Sequence, residues 1–424
     1  MFAALANIFR ITELRQKVVF TLAMFIVFRA GTHIPVPGVN VAMIEQLFQS
    51  GNLFGLLDMF SGGALSKFSI FAMSITPYIN ASIILQLLKV VVPTLEQWSK
   101  EGVEGQKKVT QLTRGGTVLL GFIQALGMAY GLRSAINNPG IMSILLIAIS
   151  LTAGTVFLMW IGEQITSKGI GNGISLIIMI GIVARLPHAL LAEVNARFQT
   201  ASGSAIMLIL ELVLLFLVFM ATIALVQAVR KVPVQYAKRI VGNKQYGGVR
   251  QYIPLKMNAA NVMPIIFAQA LMFIPALFSG TAFAAAFSSM TGFWYNFTLA
   301  VLVIAFTYFY TAIIINPQMM ADDMKRNGGF IPGVKPGKQT VNYIDTIMTR
   351  ITLPGSFFLA IVAILPALAM KFLGIQQSFA YFYGGTSLLI MVGVVLDTLK
   401  QIESYLLMRH YDGLMKTGRI QGRH

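Results

Sequence analysis

Residues 205–228 read AIMLILELVLLFLVFMATIALVQA, twenty-four positions interrupted by one ionisable side chain, Glu211. A bilayer core takes about 20 apolar residues as a helix, so this stretch is long enough to cross one. Nine further runs of the same kind lie around it, at about 18–34, 72–92, 117–136, 144–165, 174–190, 262–283, 297–318, 351–370 and 384–399. A soluble helical core has neither so many runs nor such long ones. The opening residues show no cleavable signal pattern, and the run after Lys17 reads as the first span.

Composition agrees with the spans. Of 424 residues, 56% are hydrophobic and 11% charged, with a mean hydropathy of +0.74. Soluble domains carry roughly 25% charged residues, so the chain could not cover a water-facing surface of this size. That excludes a soluble enzyme, and disorder too, which needs low hydrophobicity and high charge.

The 32 Lys and Arg against 15 Asp and Glu would suggest nucleic acid in a soluble protein. Here topology explains most of the excess. Ten spans put both termini on one side, and that side holds 25 of the basic residues against 6 on the other. The positive-inside rule makes the rich side cytoplasmic. Five spans per half is an odd number, so equivalent halves would be inverted, with a working site between them near mid-depth.

Three connections exceed a simple turn. Residues 35–71 are external yet largely apolar, which predicts a piece folded back among the helices. The cytoplasmic loop 229–261 alternates Val, Tyr and Ile around the glycine pair Gly247-Gly248 and reads as a β-hairpin with basic sides. The cytoplasmic loop 319–350 carries GGFIPGVKPGKQT, whose glycines and prolines predict a tight, non-helical tip.

Chemistry is sparse. None of His33, His188, His410 and His424 neighbours an Asp, Glu or second His at ligand spacing, so no metal site is expected, and the chain has no cysteine. There is no G-x-S-x-G elbow. Gly337-Lys338 is followed by Gln339, so it is no Walker A loop. No cofactor or catalytic residue is expected, and any energy for transport comes from a partner. Arg29, Lys89, Glu163 and Asp397 fall near span ends, and Glu211 reads as facing neighbouring protein or the headgroup edge. The uncharged mid-depth offers isoleucine, glycine and small polar residues instead. A collar of branched apolar side chains can bar ions by dewetting while deforming around something larger. The competing class, a solute transporter with inverted repeats, predicts saturable uptake by this chain alone.

Several strings resemble the SecY family, the central subunits of bacterial protein-conducting channels: Ile75-Thr76-Pro77-Tyr78-Ile79 within SGGALSKFSIFAMSITPYINASIILQLL, GIGNGISLII, NPQMMADDMKRNGGFIPGVKPG and FYGGTSLLI. The similarity runs in order through essentially the whole chain. It implies an all-α integral membrane protein with ten transmembrane helices in two inverted five-helix halves, 1–190 and 191–424, in the bacterial plasma membrane. Carried over by motif, a pore ring corresponds to Ile75, Ile79, Ile174, Ile178, Ile266 and Ile390. A plug corresponds to about 57–68, with Leu57, Met59, Phe60, Ser61, Gly62, Gly63, Ala64, Leu65 and Phe68. Spans 2 and 3 against 7 and 8 correspond to a lateral gate bearing Gln86, Gln124 and Asn261, through which apolar segments pass into lipid. The basic loops, with Arg239, Lys244, Arg250, Lys256, Lys335 and Lys338, correspond to a docking surface for the SecA ATPase and the ribosome. The implied partners also include SecE, SecG and signal-bearing preproteins. The sequence departs from the family at Lys335, where Arg is usual; Lys keeps the charge but loses the planar fork. It also has no histidine before Pro254, and Asn261 stands where glycine is common.

Overall fold

The computed structural model describes residues 11–44, 61–137, 140–199, 205–236, 239–241, 244–246, 250–272, 289 and 291–417. The chain divides into two compact units, 1–188 together with 394–424, and 189–393. Each of the ten apolar runs contains a helix among the described residues. They are α1 (Thr12–Gly31), α2 (Thr76–Val91), α4 (Val103–Gly131), α5 (Ile141–Lys168), α6 (Gly173–Gln199) and α7 (Ala205–Gln227), then α8 (Met263–Leu271), α9 (Phe293–Ile314), α11 (Lys338–Leu368) and α12 (Gly385–Thr417). Two shorter helices, α3 (Pro93–Lys100) and α10 (Pro317–Arg326), lie in connections. Six helical stretches among the described residues are long and apolar enough to cross a membrane. The others fall short for local reasons: α1 carries Glu13, Arg15, Lys17 and Arg29, and α2 has 16 residues.

In the first unit α4 packs on α2 and α5, and α1 packs on α5. Glycine permits the closest approaches. A Cβ at Gly154 of α5 would strike the Ile70 carbonyl, and one at Gly162 would lie 2.9 Å from Ile174 Cγ1. At the α4–α5 contact the Arg114 fork donates to both oxygens of Glu163, each bond 2.7 Å. Stacked rings run from Phe28 through Phe71 to Phe157 and Trp160, with centroids 5.8–6.2 Å apart.

In the second unit α9 packs on α8 and α11. The long connection after α7 is β-structured. Strand β1 (Val229–Tyr236) pairs antiparallel with β4 (Arg250–Lys256), and an inner pair, β2 (Arg239–Val241) with β3 (Lys244–Tyr246), continues the hairpin. The pairing of Val241 with Lys244 puts the reversal ahead of the expected glycine pair. A glycine pair permits a turn, but register decides where the turn is needed. Strand β5 (Gly329–Phe330) adds to the other side of β1, giving the order β4-β1-β5. The two cytoplasmic loops of the sequence reading are thus one body. Pro233 is tolerated in the central strand because β5 reaches only Gln235 and Tyr236, leaving β1 an edge at the proline. Most of the second loop is helical, in α10 and the first turns of α11, so only 327–337, which carries β5, forms the non-helical tip.

Candidate functional site

The ring positions of the first unit come from two helix starts. Thr76-Pro77 opens α2 with proline in its first turn, where the missing N–H costs no hydrogen bond. Asn172 precedes α6, its side-chain oxygen accepting from the amides of Ile174 (3.1 Å) and Ser175 (3.3 Å). Ile75 and Ile79 are four apart, as are Ile174 and Ile178, so each pair shares one helix face. All four belong to one apolar cluster with Phe28, Phe71, Leu158, Ile161, Ile165 and Ile177. Ile75 is fully buried, while Ile79, Ile174 and Ile178 stay partly exposed at its margin. Ala64 from the segment read as the plug is fully buried in the same cluster. In the second unit Ile390 on α12 is buried and Ile266 on α8 is half-buried.

Of the expected plug residues, Leu57, Met59 and Phe60 lie outside the described residues. The rest form a succession of turns: Ser61, Gly62, Ala64, Leu65 and Phe68 are buried and Gly63 is half-buried. The far end of this stretch is tied by backbone bonds to the chain after α1, Val36 N to Phe68 O and Ile70 N to Ile34 O, both 3.0 Å. Phe68 (φ 43°) and Ser74 (φ 50°) take left-handed backbone without being glycine. Such residues cost about 1–3 kcal/mol each and persist where packing over-determines them.

Two of the three gate positions lie on helices; Asn261, expected on one, precedes it. Gln86 on α2 is exposed, Gln124 on α4 is half-buried, and Asn261 is exposed ahead of α8 with φ 52°. That angle explains why glycine suits position 261, and asparagine is among the residues that tolerate it best.

The sheet body has an apolar core of Val232, Val234, Leu255, Met324, Ile331, Ile344 and Met348. Gly329 lies close beside it: a Cβ there would lie 3.0 Å from the Tyr236 ring, which would have to shift to admit it. Loops 229–261 and 319–350 together hold twelve Lys and Arg against Asp322, Asp323 and Asp345, a net charge of +9. Lys256, Lys335 and Lys338 are exposed, as are Arg230, Lys231 and Lys325; Arg239, Lys244 and Arg250 begin β2, β3 and β4.

One cluster went unseen in the sequence. The guanidinium of Arg197, near the end of α6, pairs with Glu193 (Nε–Oε1 3.0 Å) and Glu211, and donates to the Leu373 carbonyl at 2.7 Å. Both carboxylates are fully buried, and Glu193 Oε2 accepts from the Gln376 amide at 2.8 Å. Burial pushes the Tyr383 phenol well above its usual range, so it stays a donor, and it gives its proton to the Glu211 carbonyl at 2.7 Å. Glu211 therefore faces protein, as its place in a span suggested. The i, i+4 spacing of Glu193 and Arg197 was a legible signal; the partner fourteen residues on was not. Among the described residues no group of His, Cys, Asp and Glu could hold a metal.

The SecY family profile matches residues 69–399, more than three quarters of the chain. The chain belongs to the SecY family. The protein translocase subunit SecY of Halalkalibacterium halodurans is 50% identical over 436 residues, covering 98% of this chain and all of that one. That of Bacillus subtilis is 46% identical over 439 residues, with the same coverage. Among solved structures, a protein-conducting channel aligns with a TM-score of 0.65 at 16% identity, and Sec61 in the canine ribosome–channel complex with 0.61 at 15%. Each alignment covers 93% of both chains, which shows the shared fold. As a SecY-family member this is a multi-pass membrane protein and a protein-translocation channel subunit, not an enzyme.

Proposed function

We propose that the chain conducts signal-bearing, unfolded polypeptides through a constriction of Ile75, Ile79, Ile174, Ile178, Ile266 and Ile390, with 57–68 as its plug. The observation that carries this reading is the apolar cluster that Ala64 of the plug segment shares with four of those isoleucines. Hydration of an ion cannot be replaced there, so ions are refused, while side chains on rigid helix faces yield sideways to an extended chain. The two halves, 1–190 and 191–424, are the bodies that part. Gln86, Gln124 and Asn261 mark the helices of the lateral gate, through which apolar segments reach lipid. The basic sheet body, with Arg239, Lys244, Arg250, Lys256, Lys335 and Lys338, docks SecA and the ribosome. Phosphate attraction supplies the ribosomal contact. SecE and SecG complete the complex, and both termini are cytoplasmic, on the side rich in Lys and Arg.

The test of the constriction is conductance. Replacing Ile79 and Ile178 together by serine is expected to raise ion leak through reconstituted bilayers by roughly tenfold or more. Leak at the parent level would remove the ring from the account.

A further inference from the structure

Arg29 lies in the last turn of α1, half-buried, and its Nη1 donates to the carbonyl oxygen of Gly62 at 2.9 Å, across 33 residues of chain. The end of α1 is itself held, since Thr32 Oγ1 donates to the Arg29 carbonyl at 2.7 Å. From the opposite side Gly62 and its neighbour Gly63 press on α6. Gly62 has φ +66°, and a Cβ there would lie 2.8 Å from Gly181 Cα; a Cβ at Gly63 would lie 3.6 Å from Arg185 Nε. Ile174, Ile178, Gly181 and Arg185 follow one another at intervals of four, three and four, so they share one face of α6. The face that carries two ring positions is therefore the face on which the plug segment is seated.

We infer that Arg29 is a positioning residue, a latch that holds the plug segment shut through the main-chain carbonyl of Gly62 while Gly181 provides the seat. This rests on the reading of 57–68 as the plug and adds to it a named contact. The chemistry suits a seal that must open often. The donor is a guanidinium, which presents several N–H groups in a fixed fork. Its acceptor is a backbone carbonyl, and every residue of a passing chain offers another. The donor released by plug departure is thus satisfied by the extended substrate itself, which lowers the cost of opening only when substrate is present. The second glycine contact is steric and has no such substitute, so it sets where the segment returns.

The chain has no cysteine, so Ala64→Cys supplies a single reporter at a fully buried position. In the purified complex in nanodiscs, N-ethylmaleimide should label the introduced thiol slowly. In that background Arg29→Ala is expected to speed labelling at least about tenfold (~1.4 kcal/mol), and Arg29→Lys by less. Gly62→Ala should do the same by obstructing the seat, and the Arg29→Ala/Gly62→Ala double variant should label no faster than either alone. A parent-like rate in Arg29→Ala overturns the latch. If that variant does not assemble, a parent-like rate in Gly62→Ala overturns it instead. Deleting 57–68 separates the two readings by ion leak. Leak raised by the deletion, with labelling of the Arg29 variant unchanged, removes the latch and keeps the plug. Leak unmoved by the deletion removes the plug reading.

Discussion

Two apolar cores in this molecule are built from nearly the same residues and serve opposite ends. The apolar cluster around Ile75 and Ile177 in the first unit leaves three isoleucines partly open at its margin. The core around Val234 and Ile344 in the second unit is closed by a sheet that bears exposed Arg230, Lys231 and Lys256. Branched side chains give both their stiffness. What differs is the boundary. The first core ends in hydrocarbon that can neither hydrate nor pair an ion; the second lies beside exposed cations, which attract acidic or phosphate-bearing partners over a Debye length of about 8–10 Å. The second unit also buries charge, in the Glu193–Arg197–Glu211 cluster, but only as a circuit whose members pair with one another.

That circuit is where the contrast breaks most easily. Arg197→Ala leaves two buried carboxylates without their cation and should cost about 3–5 kcal/mol, read as a large drop in thermal stability of the complex. Removing the whole circuit, as Glu193→Gln/Arg197→Met/Glu211→Gln, should recover much of that loss. If the triple variant is no better than Arg197→Ala, the cluster does more than satisfy its own charges. Next in size is Ile344→Ala in the closed core, expected to cost about 2–5 kcal/mol by cavity formation. Hydrogen exchange should then quicken across β1 and β4, while ion leak stays at the parent level. A rise in leak would mean the two cores are not independent. The smallest structural effect belongs to Lys335→Glu/Lys338→Glu, because both side chains are exposed. Stability should stay within about 0.5 kcal/mol, while affinity for SecA or ribosomes falls most at low salt. Equal affinity across salt concentrations would leave these lysines a topological role alone.

The membrane class and the long apolar runs could be read directly, because lipid demands such runs and each announces itself without reference to any other. The isoleucine pairs at α2 and α6 came from the family resemblance, and their spacing of four places each pair on one helix face. Reading failed where contacts join distant segments. The loops read as separate at 229–261 and 319–350 proved to share β1, and no local pattern signals a two-residue strand such as Gly329–Phe330. Arg29 with Gly62, and Arg197 with Glu211 and Leu373, are likewise meetings of residues whose own neighbourhoods look ordinary. Periodicity records what a residue does for its own helix, whereas hydrogen bonds across 33 or 176 residues depend on where the packed backbone places donor and acceptor. Only folding brings those groups within reach, and burial then makes leaving them unpaired expensive.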